Sequence, residues 1–190
     1  MTDQELVKAF KESGEGEYFG SLYDRYFDPI FRFIYYKTHH RETAEDITSL
    51  VFTKALERVA DFDFSKGTIQ AWLYQIARNA VVDYYRRGRE RLTEDISDAW
   101  DIPADTRTEK DTENGMLFVD LQKYLHEISA EQREIIILRI WEELSYKEIA
   151  EIVGKSEGSC KMAFARGIKK LQEIMPAATF LTILLYIVSV

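Results

Sequence analysis

Residues 144–171 have the sequence LSYKEIAEIVGKSEGSCKMAFARGIKKL, which predicts two helices joined by a tight turn. Ser145 is a favourable N-cap, and Glu148 three residues later completes a capping box. Gly154 stands where the chain must reverse, a position that favours a left-handed backbone. The second helix is predicted to begin at Ser156 or at the residue after it. This arrangement is typical of a helix-turn-helix.

The second helix of this motif is predicted to bury one face and to present cations on the other. The apolar positions expected inside are Cys160, Phe164, Ile168 and Leu171. The basic residues between or beside them are Lys155, Lys161, Arg166, Lys169 and Lys170. Such a face suits contacts with phosphates. We favour DNA binding over an ordinary helical hairpin with a solvated basic face, because the helix cap, the glycine turn and the basic face are all consistent with a DNA-binding helix-turn-helix.

The composition is that of a globular protein, with 46% hydrophobic and 31% charged residues. The single cysteine, Cys160, excludes an internal disulfide and fits a reducing cytoplasm, and residues 1–17 hold no apolar segment of a secretory signal. Much of the net charge of −8 lies in residues 93–114, where eight acids and two bases give −6. This stretch is predicted to be a linker. A chain without a global positive field should bind duplex DNA weakly by itself.

Helical periodicity extends through the first half of the chain. Residues 3–12 predict a short amphipathic helix that is broken at Gly14 and at the glycine two residues later. A long aromatic helix follows. Pro29 is expected to kink this helix or to restart it, with Asp28 as the new cap.

A helix over residues 43–59 is predicted next, with Thr43 and Asp46 as a weak variant of the capping box. The positions predicted to face outward include Asp46, Ser49, Leu50 and Thr53. A single exposed leucine is ordinary. An apolar residue among small polar ones also suits a protein-binding face. The residues alone leave both interpretations open.

After a predicted loop over residues 60–68, a helix runs from Ile69 to the arginines near residue 91. Its non-apolar side is predicted to carry Gln70, Tyr74, Arg78, Asn79, Tyr85 and Arg86. The end of the helix has four arginines in six residues, Arg86, Arg87, Arg89 and Arg91. The helix dipole explains one or two of them. Four beside aromatic rings better suit an unpaired nucleic-acid strand.

The C-terminal residues 176–190 carry no charge. As a helix, the 14 residues after Pro176 would span about 21 Å, short of the roughly 30 Å of a bilayer core. A buried helix, a docking peptide and the start of a spanning segment all remain open.

Together these segments resemble a bacterial RNA polymerase sigma factor of the extracytoplasmic-function subgroup. LYDRYFDPIFRF, AEDITSLVFTKALE and AWLYQIARNAVVDYYRR resemble that family's first conserved domain, and residues 144–171 resemble its second. The resemblance implies an all-α fold with two small helical domains joined by an acidic linker. The expected parts are a polymerase-binding and −10 recognition domain over 1–92, the linker over 93–114, a helix-turn-helix −35 recognition domain over 115–175, and the apolar tail over 176–190.

The resemblance also implies a role for each matching position. The polymerase-binding positions are Asp46, Ser49, Leu50 and Thr53. The positions for the opened −10 element are Phe64, Ser65, Lys66, Arg78, Asn79, Arg86 and Arg87. The positions for the −35 duplex are Lys155, Ser156, Glu157, Ser159, Lys161, Met162 and Arg166.

This sequence departs from the family pattern at some of these positions. A Gln and an acid usually stand where this chain has Ser49 and Leu50, and a Ser-Arg pair usually stands at Met162 and Ala163. The second departure removes a cation from the −35 recognition helix.

The resemblance implies a cytoplasmic transcription initiation factor with no enzymatic activity, cofactor or metal. The expected partners are core RNA polymerase, promoter DNA in duplex and single-stranded form, and an anti-sigma factor, with membrane association through residues 176–190 as a further hypothesis. The alternative is a stand-alone dimeric helix-turn-helix regulator that binds an operator. The histidines and acids show no metal-ligand spacing, and no phosphate-binding glycine loop occurs.

Overall fold

The computed structural model describes residues 1–38, 40–91, 124–125, 127–177 and 179–181, without the side chains of residues 89–91. The chain divides into two compact units, Met1–Ser97 and Asp98–Val190. All regular elements of the described residues are helical, in agreement with the predicted all-α class. The predicted linker over 93–114 and residues 182–190 of the tail lie outside the described residues.

Four α-helices are described in the N-terminal unit. They are α1 (Asp3–Ser13), α2 (Gly16–Thr38), α3 (Arg41–Arg58) and α4 (Ile69–Arg91). The segment between α3 and α4, predicted to be a loop, contains two short 3-10 turns, Val59–Asp61 and Phe64–Lys66. Helices α2, α3 and α4 pack against one another, and α1 lies against α2.

The core of this unit forms where α2, α3 and α4 meet. Ile30 and Phe33 of α2 are buried against the other helices, as are Val51 of α3 and Ala77 of α4. The ring of Phe33 meets that of Tyr74 edge to face, with 5.1 Å between centroids. Burying each large side chain of this kind stabilises the fold by roughly 1.5–3 kcal/mol.

Of the two outcomes predicted for Pro29, a restart does not occur: helix α2 continues through the proline, with buried residues on both sides of it. Two other local predictions for this unit are wrong. Helix α3 begins at Arg41 rather than Thr43, because the ring of His40 accepts a hydrogen bond from the Thr43 N–H at 3.3 Å. Tyr74 was expected on the exposed side of α4 but is fully buried. Since α4 packs against both α2 and α3, its buried arc is wider than a single stripe.

The C-terminal unit contains three described helices of more than one turn. They are α5 (Ala130–Ile140), α6 (Tyr146–Val153) and α7 (Glu157–Ile174). The predicted capping box of Ser145 and Glu148 is present, and Gly154 ends α6 with a left-handed φ of 70°. Ser156 caps α7, so Glu157 is its first residue. The predicted helix-turn-helix is therefore confirmed.

Helix α7 packs closely on α5 through small residues. Its buried positions are Cys160, Ala163, Gly167 and Leu171. A Cβ atom at Gly167 would lie 2.7 Å from Cδ1 of Ile136 and 3.3 Å from Cβ of Gln132. Phe164 and Ile168, which were predicted to be buried, are only half-buried beside this close approach.

Within the described residues, no helix combines the length and the apolar character needed to cross a membrane.

We expect Gly167→Ala to lower the unfolding free energy of the C-terminal unit by about 1–3 kcal/mol, because the new methyl group would overpack the contact with Ile136. Cys160 is buried and is the only cysteine of the chain, so the urea midpoint at which it reacts with a thiol reagent reports on this unit. Gly158→Ala on the same helix is the matched control. A Cβ there would meet no atom within 4 Å, so this variant should be as stable as the parent or slightly more stable. Equal midpoints for both variants would contradict the prediction.

Candidate nucleic-acid and protein-binding surfaces

The first candidate surface is the exposed side of α3. Asp46, Ser49 and Thr53 are exposed, and Leu50 is 37% exposed. The Ser49 hydroxyl donates to the Glu45 carbonyl at 2.9 Å, and the Thr53 hydroxyl donates to the Ser49 carbonyl at 2.8 Å. Because both hydroxyl protons are used within the helix, this surface presents aliphatic groups between acids. It is suited to a partly apolar protein contact.

Leu56 is 45% exposed on the same helix and was not among the predicted outward-facing residues. It follows Ser49 by two helical turns and therefore lies on a similar side. Its signal in the sequence was weak, because one exposed leucine is ordinary. Leu50 and Leu56 are the large apolar residues of α3 that are exposed.

The second candidate surface begins in the segment before α4. The Asp63 side chain accepts a hydrogen bond from the Ser65 N–H at 2.9 Å, which fixes the turn Phe64–Lys66. The same hydrogen bond lowers the pKa of Asp63. Ser65 and Lys66 are exposed on this turn, whereas Phe64 is half-buried.

Aromatic packing holds this turn against the rest of its unit. The ring of Phe62 lies 4.8 Å from that of Phe64 and 5.2 Å from that of Trp72 on α4, between centroids. On the other side, the ammonium group of Lys11 on α1 donates to the Phe62 carbonyl at 2.7 Å. The exposed Ser65 and Lys66 are thus carried by a segment that α1 and α4 both hold in place.

The second half of α4 continues this surface. Asn79, Arg86 and Arg87 are exposed, and Arg78 is half-buried. Asn79 and Arg86 are seven residues apart and share one side of the helix. The Arg86 guanidinium lies 3.3 Å from the carboxylate of Asp83, which orients it along the helix.

The two tyrosines near the end of α4 have different environments. The Tyr85 hydroxyl donates to the Lys37 carbonyl on α2 at 2.6 Å, and burial raises the pKa of Tyr85. Tyr85 therefore fastens α4 to α2, contrary to the prediction that it faces outward. Tyr84 is 44% exposed and offers a ring on which a base can stack.

The third candidate surface is the exposed side of the helix-turn-helix. The Ser159 N–H donates to the Ser156 hydroxyl oxygen at 3.2 Å, and the two hydroxyls are 2.8 Å apart. These serines therefore build the first turn of α7. Met162 and Arg166 are exposed farther along the helix.

Two cations of this surface are already paired within the unit. Lys155 lies 2.6 Å from a carboxylate oxygen of Glu131 on α5, and Lys161 lies 2.6 Å from Glu157. The side chains of these pairs are 42–55% exposed, so the pairs contribute little to stability. A phosphate group can take the place of either carboxylate at modest cost.

Among the residues that the structure describes, no three or more His, Cys, Asp or Glu side chains come together in a group that could hold a metal ion. Burial raises the pKa of the Cys160 thiol, which keeps it neutral near pH 7.

All three surfaces lie within two regions of the chain that match known protein families. Residues 22–91 match the family model for Sigma-70 region 2, and residues 118–171 match the one for Sigma-70, region 4. The RNA polymerase sigma factor YlaC of Bacillus subtilis is 31% identical over 156 residues, which are 81% of this chain and 90% of that protein.

Two further relatives agree with these matches. The ECF RNA polymerase sigma factor BldN of Streptomyces coelicolor is 34% identical over 173 residues, which cover 90% of this chain but 65% of that longer protein. The sigma factor RpoE of Bartonella quintana, solved in complex with the anti-sigma factor NepR, has 26% sequence identity and a TM-score of 0.66. The match covers 82% of this chain and 94% of that chain.

The lowered pKa of Asp63 predicts a pH dependence for the turn Phe64–Lys66. Because the folded pKa lies below the unfolded one, the ionised carboxylate stabilises the turn at neutral pH. This contribution is lost as the pH falls through the folded pKa. In an NMR titration of the full chain, the Ser65 amide signal should move with a midpoint below the ordinary pKa of aspartate. Asp63→Asn, which keeps an acceptor but cannot ionise, should abolish the movement. A midpoint at or above the ordinary value would contradict the assignment.

Proposed function

Since this chain belongs to the extracytoplasmic-function sigma factors and is a promoter-recognising transcription initiation factor, we propose that its two helical units act on different parts of a promoter. One observation carries the proposal. Each matched region, 22–91 and 118–171, contains an exposed basic surface on a helix whose opposite face is buried. The alternative of a stand-alone dimeric regulator is not favoured, because a repressor needs only the second region.

The N-terminal unit is proposed to bind core RNA polymerase through the exposed side of α3. Asp46 and Leu50 would make the central contacts, with Ser49 and Thr53 beside them. The exposed Leu56 supports a larger apolar area than the sequence suggested. The serine and the leucine at 49 and 50 differ from the usual Gln and acid, so this contact would depend more on apolar packing.

The same unit is proposed to hold the opened −10 element. Ser65 and Lys66 would contact the displaced strand at the fixed turn, with Phe64 beneath them. Arg78, Asn79, Arg86 and Arg87 would follow the strand along α4, where guanidinium groups bind phosphates and polar side chains read base edges. The chain would favour melting by trapping unpaired bases, and it would catalyse no bond chemistry of its own.

The C-terminal unit is proposed to place α7 in the major groove of the −35 duplex. Lys155, Lys161 and Arg166 would bind phosphates near the groove, the first two after leaving their carboxylate partners. Glu157, Met162 and Ser159 lie near the N-terminal half of α7, where side chains of a recognition helix reach base edges. Ser156 would position this turn as its cap.

The net charge of −8 supports a proposal in which the chain contacts the promoter while the polymerase supplies most of the DNA affinity. The acidic stretch 93–114 would compete with DNA for the basic surfaces of the free protein. The larger enzyme would then supply most of the affinity for promoter DNA. These partners place the proposed activity in the cytoplasm.

An anti-sigma factor is proposed as the inhibitory partner, because the related RpoE of Bartonella quintana was solved with one. The uncharged tail over 176–190 is proposed to contribute to this association or to a membrane contact.

In vitro transcription across a pool of genomic promoters tests the main proposal. We expect specific RNA chains only when core polymerase and this chain are both present, and weak binding of promoter duplex by the chain alone. Tight, specific footprints by the free protein, together with no RNA synthesis, would favour the dimeric regulator instead.

Leu50→Lys should weaken binding to core polymerase by about tenfold or more, because it buries a positive charge in a partly apolar contact. Fluorescence anisotropy of the labelled chain, titrated with core polymerase, measures the change. Leu181→Lys is the matched control, since Leu181 is 55% exposed in the other unit. Equal affinities for both variants would remove α3 from the polymerase contact.

A further inference from the structure

The exposed side of α7 is organised around one apolar side chain. Met162 is 55% exposed. Gly158 lies four residues before it and Ala165 three residues after it, and both are exposed. Residues at these spacings are neighbours along one side of a helix. Because both neighbours are small, the methionine projects beyond them toward solvent.

Packing inside the protein does not account for an apolar residue at position 162. The buried side of α7 consists of Cys160, Ala163, Gly167 and Leu171, which face away from it. Gly158 is also not required by the interior, because a Cβ atom there would have no atom within 4 Å. Glycine weakens a helix relative to alanine. A glycine at this exposed place leaves room for a close approach from outside.

The charges around Met162 indicate a polyanion as the approaching molecule. Arg166 and Lys169 are exposed one and two turns farther along α7, and Lys170 adjoins them. Within the described residues, the acid on the exposed side of this helix nearest to Met162 is Glu157, which already pairs with Lys161. An apolar group beside such a row of cations suits the floor of a DNA groove better than an ordinary protein contact.

The major groove offers one apolar group among its base edges, the C5-methyl group of thymine. The flexible thioether of methionine adapts well to such a small apolar target. We propose that Met162 reads a thymine methyl group in the −35 duplex and so determines part of the promoter preference. This inference rests on the proposed placement of α7 in the major groove.

The test begins with the holoenzyme made from core polymerase and this chain. A promoter library with a randomised −35 region is selected with the parent, with Met162→Ala and with Met162→Leu. We expect the parent and the leucine variant to select a thymine at one position, and the alanine variant to lose that preference. The leucine variant is the control, since it keeps an apolar side chain of similar size.

Replacing the selected thymine by uracil then removes only the methyl group. We expect the parent holoenzyme to bind the uracil duplex about fourfold more weakly, the effect of one buried methyl group. The alanine variant should bind both duplexes equally. Equal binding by the parent, or a thymine preference that survives in the alanine variant, would overturn the inference.

Two further measurements separate this inference from the proposed function. If Arg166→Ala leaves binding of the −35 duplex unchanged, then the placement of α7 in the groove is wrong and the inference falls with it. If Arg166→Ala weakens that binding while Met162→Ala does not alter base preference, then only the role of Met162 is wrong. Weaker binding of Met162→Ala to core polymerase without DNA would assign this residue to a protein contact and would also overturn the inference.

Discussion

The close approach of α7 to α5 at Gly167 is the constraint on which the exposed side of the helix-turn-helix depends. A single added carbon would come within 2.7 Å of the Ile136 side chain, so the side chains of α5 lie directly against the backbone of α7 at this glycine. This contact fixes the rotation of α7 about its axis. With Gly167 and Leu171 inward, Met162 and Arg166 must point outward, because one residue corresponds to about 100° of rotation. Tight packing on one side thus determines the chemistry on the other.

In the N-terminal unit, aromatic packing fixes the rotation of a helix about its axis. The contact between Tyr74 and Phe33 sets the rotation of α4, and the hydrogen bond from Tyr85 to the Lys37 carbonyl holds its far end. The turn before α4 depends on a local carboxylate cap and on the lysine of α1 that binds the Phe62 carbonyl. The exposed polar residues of this unit therefore lie on rigid elements, which favours ordered contacts with an otherwise flexible single strand.

The charges of this chain favour DNA contacts on two local surfaces but give no overall attraction to DNA. Basic surfaces are present on both units, yet the chain is acidic and two cations of the helix-turn-helix pair with carboxylates. These exposed pairs add little stability and can be exchanged for phosphates when DNA is brought close. A chain with this distribution of charge is expected to bind DNA weakly by itself. In the proposed function, the chain would gain affinity for the promoter when a larger partner brings both surfaces to the DNA.

The sequence by itself determined the features that depend on hydrogen bonds within a few residues. The capping box at Ser145, the left-handed turn at Gly154 and the cap at Ser156 were all predictable, because each partner lies within one helical turn. Only the tertiary structure decided which residues of each helix are buried. Tyr74 is buried because α4 has two neighbours, and small residues rather than Phe164 occupy the crossing of α7 with α5. Burial depends on the shape and proximity of a distant helix, and periodicity in one segment carries no information about that partner.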